Sequence, residues 1–142
     1  MSEKWDDRFL ELAKLVSTWS KDPSTQVGAV IVRPDRTIAS MGFNGFPQSM
    51  PDNPGFYANR DSKYSRIVHG EINALLFAHD SVKGCTLYTY PFMPCDRCCV
   101  QILQAGITRI VTVKVVPDER WREAFDRTKL YCAESHVELV EI

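Results

Sequence analysis

His69, Glu71, Cys95 and Cys98 are the residues whose types and spacing could do chemistry together. The chain reads H-G-E at 69–71, then 22 residues, then P-C-D-R-C at 94–98. Zn²⁺ takes imidazole nitrogen and thiolate sulfur in a tetrahedron, and a catalytic site keeps three protein ligands with the fourth position left for water. His69, Cys95 and Cys98 supply such a set, and two thiolates cancel the charge of the ion. A water in the fourth position has its pKa drawn down to about 7. Glu71, two residues past the histidine, can lie beside that water without coordinating. Replacing an exocyclic amine by oxygen needs a proton taken from water, one given to a ring nitrogen and one given to departing ammonia. One carboxylate can serve all three transfers. By itself a glutamate in a first helical turn is only a favourable surface residue; the complete pattern gives it a task.

The ligands must be brought together by the elements around them. Apolar residues at 5, 9, 12, 16 and 19 predict an amphipathic helix from Trp5 to about Trp19, with Trp5, Phe9 and Trp19 as a core stripe. The segment Ser20–Ser24 stops that helix, because Pro23 disfavours a helical Asp22. Val27–Arg33 and Thr37–Phe43 read as strands joined by Pro34-Asp35-Arg36, an antiparallel hairpin. Gly28 and Ala29 mark a close approach, either by a ligand or by a packed helix. Residues 44–66 show no period and read as a long loop, with Arg60, Lys63 and Arg66 beside Phe56, Tyr57 and Tyr64, a mixture suited to an anionic, ring-bearing ligand. A helix over Val68–His79 carries His69 and Glu71 in its first turn, with Ile72, Leu75, Leu76 and His79 on one face. Strand Cys85–Tyr90 leads to a helix from about Cys95 to Gly106, on which Cys95 and Cys98 share a side. Strand Thr108–Lys114, helix Asp118 to about Cys132 and strand Val137–Val140 complete an α/β chain. The expected architecture is a three-layer α/β/α sandwich around a five-stranded mixed sheet, a single domain over residues 1–142. Ligands on such sheets sit by the carboxyl ends of strands and the N-termini of the helices that follow, where the zinc candidates fall.

Composition excludes several classes. At 142 residues, 44% apolar and 25% charged, the chain has the proportions of an ordinary globular domain. A formal net charge of −1 gives no general attraction to nucleic acid. MSEKWDDRF contains no apolar signal core and nowhere do 18 apolar residues run together, so neither secretion nor membrane insertion is expected. Five cysteines without framework spacing point to reduced thiols in the cytoplasm. Cys85, Cys99 and Cys132 are expected as buried core thiols, and His79 and His136 have no ligand-spaced partners.

H-x-E followed by P-C-x-x-C is the signature of zinc nucleobase deaminases. The wider match is more particular. Ser20 through Ala29, Gly42-Phe43-Asn44-Gly45-Phe46-Pro47, Lys63-Tyr64, Val68 through Ala74, Gly84 through Tyr88 and Pro94-Cys95 through Ile107 resemble the deoxycytidylate (dCMP) deaminases. The resemblance implies a cytidine-deaminase-like fold and zinc-dependent conversion of dCMP and water to dUMP and ammonia, which supplies dUMP for dTTP synthesis. It also implies that Asn44 contacts the substrate and that backbone near Ala29 faces the pyrimidine. Members of that family are often hexamers, activated by dCTP with Mg²⁺ and inhibited by dTTP; Gly42, Asn44 and Gly45 match the part associated with the effector. Lys21, Ser24, Arg60, Lys63 and Arg66 are the phosphate candidates, with Tyr64 beside them, and dCTP is a further candidate substrate. Gly70 stands where that family usually has alanine, and residues 47–66 hold no Cys or His for an additional zinc.

Two alternatives stand beside this expectation. A deaminase acting on a base within RNA or DNA needs a basic track for the phosphate backbone. A non-catalytic zinc-stabilised domain needs a fourth protein ligand.

Overall fold

The computed structural model describes residues 3–142. Its centre is a five-stranded sheet in the order β2-β1-β3-β4-β5, formed by β1 (Gly28–Val32), β2 (Ile38–Phe43), β3 (Thr86–Tyr90), β4 (Arg109–Thr112) and β5 (Glu138–Glu141). The hairpin strands β1 and β2 are antiparallel, β1 meets β3 antiparallel, and β3-β4-β5 run parallel. Each parallel step is crossed by a helix, α5 (Asp96–Gln104) and then α6 (Glu119–Glu134), as parallel pairing requires.

Alternation along the strands sorts the core into two halves. Val30, Val32, Tyr88 and Val111 point to α1 (Glu3–Ser17) and meet its Phe9, Leu10, Ala13 and Val16. Ala29, Ile31, Leu87 and Ile110 point the other way, against Ala74 of α4 (Gly70–Leu76), Cys99 and Ile102 of α5 and Cys132 of α6. The sandwich is three-layered, with one helix on one face and three on the other.

Two glycines set the spacing at the hairpin. A Cβ on Gly28 would stand 2.1 Å from the Ala13 carbonyl oxygen, and one on Gly42 would stand 2.4 Å from the Ala74 nitrogen. Both helices therefore lie backbone to backbone on the strands, from opposite faces. The close approach that Gly28 marks is the packing of α1.

Four expectations need correction. Residues 44–66 are not one loop: they hold α2 (Pro54–Ala58) and α3 (Arg60–Arg66), started by the side chains of Asn53 and Asn59, which accept from the Gly55 and Ser62 amides. Helices of five and seven residues are too short to show a period. The expected Val68–His79 helix is only α4, so Leu76 lies on its exposed side. Trp19 falls beyond the end of α1 and is half exposed, its ring edge on Phe43 at 6.2 Å, so it is no part of the core stripe. Cys95 precedes its helix as the N-cap residue. Cys85, Cys99 and Cys132 are buried thiols, and no helix among the described residues is long and apolar enough to cross a membrane.

Candidate active site

The N-termini of α4 and α5 meet, and each is entered through a residue of the motif. His69 is the N-cap residue of α4 and Cys95 that of α5, and neither uses its side chain as a cap. Both are thereby free to turn towards the other helix, where Cys98 joins them from the first turn of α5. His69 Nδ1 lies 3.7 Å from Cys95 Sγ and 3.1 Å from Cys98 Sγ, and the three donor atoms lie within 4.8 Å of one another. A tetrahedral zinc with bonds of about 2.0–2.3 Å holds its ligand atoms roughly 3.5–4 Å apart. With the His69–Cys95 pair inside that range and the His69–Cys98 pair a few tenths of an ångström short of it, the set suits that ion, with Nδ1 as the nitrogen donor.

The electrostatics suit a cation. The hydrogen bond with Cys98, aided by His69, holds the Cys95 thiol down to about 4. The same bond to Cys95 pushes the Cys98 thiol up. His69 is raised, chiefly by its hydrogen bond with Cys95. The helix N-termini add positive potential for the sulfur charge.

Glu71 sits beside this cluster and is 4% exposed. Burial pushes its carboxyl above the ordinary value, and the nearby His69 only partly offsets that. Its Oε1 has no hydrogen-bond partner among the described residues. A buried carboxylate oxygen left unpaired is costly, and where one persists a missing water or ligand is the usual reason. Next to three metal-competent donors, it is placed to take a proton from water and return it.

A cavity of about 360 Å³ opens from His69, Glu71 and Cys95, within the range of small-ligand sites. Of the sequence-derived candidates, Ser24, Asn44, Arg60, Lys63 and Tyr64 line it as well. Asn44 is heavily engaged: its Oδ1 accepts from the Val27 amide at 2.8 Å, and its Nδ2 donates to the Thr25 carbonyl and to Asp22. Lys63 Nζ donates to Ser24 Oγ at 2.7 Å and pairs with Asp22 at 2.8 Å. The other candidates lie elsewhere. Lys21 is exposed and paired with Asp52 at 2.6 Å. Arg66 donates to the Ser62 carbonyl and lies over the Phe56 ring. Ala29 is fully buried in the sheet. Gly42 lies under α4, and Gly45 bridges Val68. Alanine at Gly70 would place its Cβ 3.2 Å from the Val27 carbonyl, a tight fit that the smaller residue avoids.

Sequence reasoning missed part of the wall. Phe92, Arg120, Trp121 and Phe125 close the cavity from the loop after β3 and from the start of α6. Only the Arg-Trp pair opening that helix, with Phe125 one turn on, offered a signal. Asp22 was also unassigned. It is buried and accepts from the Ser24 and Thr25 amides, Asn44 and Lys63. Burial raises its carboxyl, but these donors outweigh it and hold it below the ordinary value.

Comparison with known proteins agrees with this geometry. Residues 3–114 match the model of the cytidine and deoxycytidylate deaminase zinc-binding region. A deaminase encoded in the luxG 3′ region of Aliivibrio fischeri is 40% identical over 141 residues, covering 98% of this chain and 94% of that protein. Human deoxycytidylate deaminase is 36% identical over 114 residues, 76% of this chain and 64% of that protein, so the chain spans under two thirds of the human enzyme. The dCMP deaminase of cyanophage S-TIM5, solved with dCMP and dUMP, superposes with a TM-score of 0.77 at 22% identity, over 100% of this chain and 99% of that one. With His69, Glu71 and Cys95 lining one cavity, Cys98 completing the donor set behind them and the family model covering most of its length, this chain belongs to the zinc-binding cytidine and deoxycytidylate deaminase family.

Proposed function

We propose that this protein hydrolytically deaminates dCMP to dUMP, releasing ammonia. The observation that carries the proposal is the buried, unpartnered Oε1 of Glu71 beside the His69–Cys95–Cys98 donor set at the floor of a ligand-sized cavity. The names of the curated relatives and the nucleotides bound by the phage enzyme support the substrate. His69 Nδ1 and the two sulfurs would hold Zn²⁺, which would supply the Lewis acidity that makes water acidic enough to attack at neutral pH. Glu71 takes the proton of that water. Oxygen bonds to C4 of the cytosine and Glu71 hands the proton to N3; Glu71 then takes the remaining proton of the C4 hydroxyl and delivers it to the amino nitrogen, so that the C4–N bond breaks with loss of ammonia as C4=O forms. Upward displacement of the Glu71 pKa by burial suits a group that must donate a proton as well as accept one. Phe92 and Trp121 provide ring faces for the substrate.

The proposal extends to dCTP as a second substrate, to regulation by dCTP with Mg²⁺ and by dTTP, to a homo-oligomer, a hexamer as in the dCMP deaminases it resembles, and to a cytoplasmic location in dTTP supply. Resemblance to the dCMP deaminases is the support for the effectors and the hexamer. For association between copies there is also the exposed apolar surface of Trp19, Met41 and Phe43 along the edge strand β2. The test is ammonia release from dCMP, dCTP and deoxycytidine in parallel, with and without dTTP, on zinc-loaded protein. Turnover of dCMP above that of the nucleoside is expected; equal activity on deoxycytidine removes the nucleotide assignment.

A further inference from the structure

The cavity's cations are not equivalent. Lys63 contributes Nζ to Asp22 and Ser24, so its charge is already met by a buried carboxylate. Two other cations line the same cavity with little to hold them. Arg60 of α3 has no carboxylate partner among the described residues and lies over the Tyr64 ring at 5.6 Å. Arg120 of α6 lies over the Trp121 ring at 5.3 Å and has one long carboxylate contact, Nε to Asp118 at 3.7 Å. Stacking on a ring orients a guanidinium while leaving its N–H edge available. A phosphate monoester, with several oxygens and close to two negative charges, is the ligand such a forked donor fits.

We propose that Arg120 is the specificity residue that makes the substrate a nucleotide rather than a nucleoside. It donates its N–H fork to the 5′-phosphate, with Arg60 as the second donor, while Lys63 positions the segment around Asp22. The proposal rests on the deaminase function above. It puts phosphate recognition partly on α6, beyond the residues 3–114 that carry the family match. Asp118 competes with the phosphate for Arg120, so removing its charge strengthens the grip.

The experiment is steady-state ammonia release by zinc-loaded wild type, Arg120→Ala, Arg120→Lys and Asp118→Asn, each on dCMP and deoxycytidine. Arg120 is more than half exposed, so its variants keep the fold. Losing a bidentate charge-assisted pair lowers kcat/KM for dCMP by about 10- to 100-fold, mostly through KM. Deoxycytidine turnover stays within about twofold, Arg120→Lys falls between, and Asp118→Asn lowers KM for dCMP alone. Equal losses on both substrates, or none on dCMP, overturn the phosphate assignment while leaving the deaminase standing. A wild-type protein that releases no ammonia from dCMP overturns both.

Discussion

Two buried carboxylates on opposite faces of the sheet solve the same physical problem in opposite ways. Under α1, Asp6 is met by both terminal nitrogens of Arg109, at 2.8 and 2.7 Å, and by the Tyr88 hydroxyl at 2.6 Å. Burial by itself raises its carboxyl, yet these donors outweigh that and hold it below the ordinary value. Over the other face, Glu71 is as deeply buried, has an oxygen with no donor, and is pushed up. One carboxylate is a staple from α1 to β3 and β4; the other is left wanting a partner that only solvent or substrate can supply. Satisfied polar clusters hold a fold, and unsatisfied ones with room beside them do chemistry at some cost in stability.

The contrast can be broken most directly at Glu71. Glu71→Gln should lower kcat on dCMP by about 10²- to 10⁴-fold, since a general acid–base is removed. Metal content, by elemental analysis, stays at wild type, and the melting temperature of the chelator-treated protein does not fall. The matching change on the far face has the opposite profile. Asp6→Ala strips both terminal nitrogens of the mostly buried Arg109 of their carboxylate, leaving only the Nε contact with the exposed Glu138 at 3.3 Å, and should cost about 3 kcal/mol in chemical denaturation, with activity per folded molecule kept.

A third buried carboxylate sharpens the comparison because it combines both habits. Asp22 is fully paired, but its cation, Lys63, is on the cavity wall. Lys63→Met should destabilise by about 1–3 kcal/mol and lower kcat/KM for dCMP and deoxycytidine by the same factor, a uniform loss that marks positioning rather than phosphate contact. The smallest effect is in acid. Asp6 and Asp22 have folded pKa values below their unfolded value of about 3.9. The stability they contribute is complete above that pH and is lost as pH falls through their lowered folded values. Denaturation midpoints followed downward from pH 6 should drop below about pH 4, and Asp6→Asn should flatten the drop.

The chemistry was legible in the sequence because its residues sit in two short motifs, each at the entry of a helix, where local spacing fixes direction. The hairpin and the three-layer build around a mixed sheet were legible because alternation and helical period are local signals as well; the strand order, set by long-range pairing, was not. The wall from α6 was not: Arg120 and Trp121 reach the cavity through the crossover that follows β4, a long-range placement that the Arg-Trp pair by itself does not specify. The motif around Asn44 was legible and the residue does line the cavity, but its exhaustive bonding to the 22–27 segment is a tertiary fact. Ala29 and Gly42 carry small side chains for packing reasons that a sequence does not separate from ligand approach.

Gly28 and Gly42 also have a mechanical meaning. They lie on adjacent rungs of the hairpin, Gly28 opposite Phe43 and Ala29 opposite Gly42, and each receives a helix backbone with no side chain in between. Side chains are the compliant part of a protein interior, because they can change rotamer to absorb a shift. Here that cushion is missing on both sides. A displacement of α1 near Ala13 is passed through the hairpin to α4, at the turn that carries Gly70 and Glu71. The hairpin acts as a stiff gauge block between the faces, and the unpartnered carboxylate of Glu71 is held to a reference plane on the far side of the molecule.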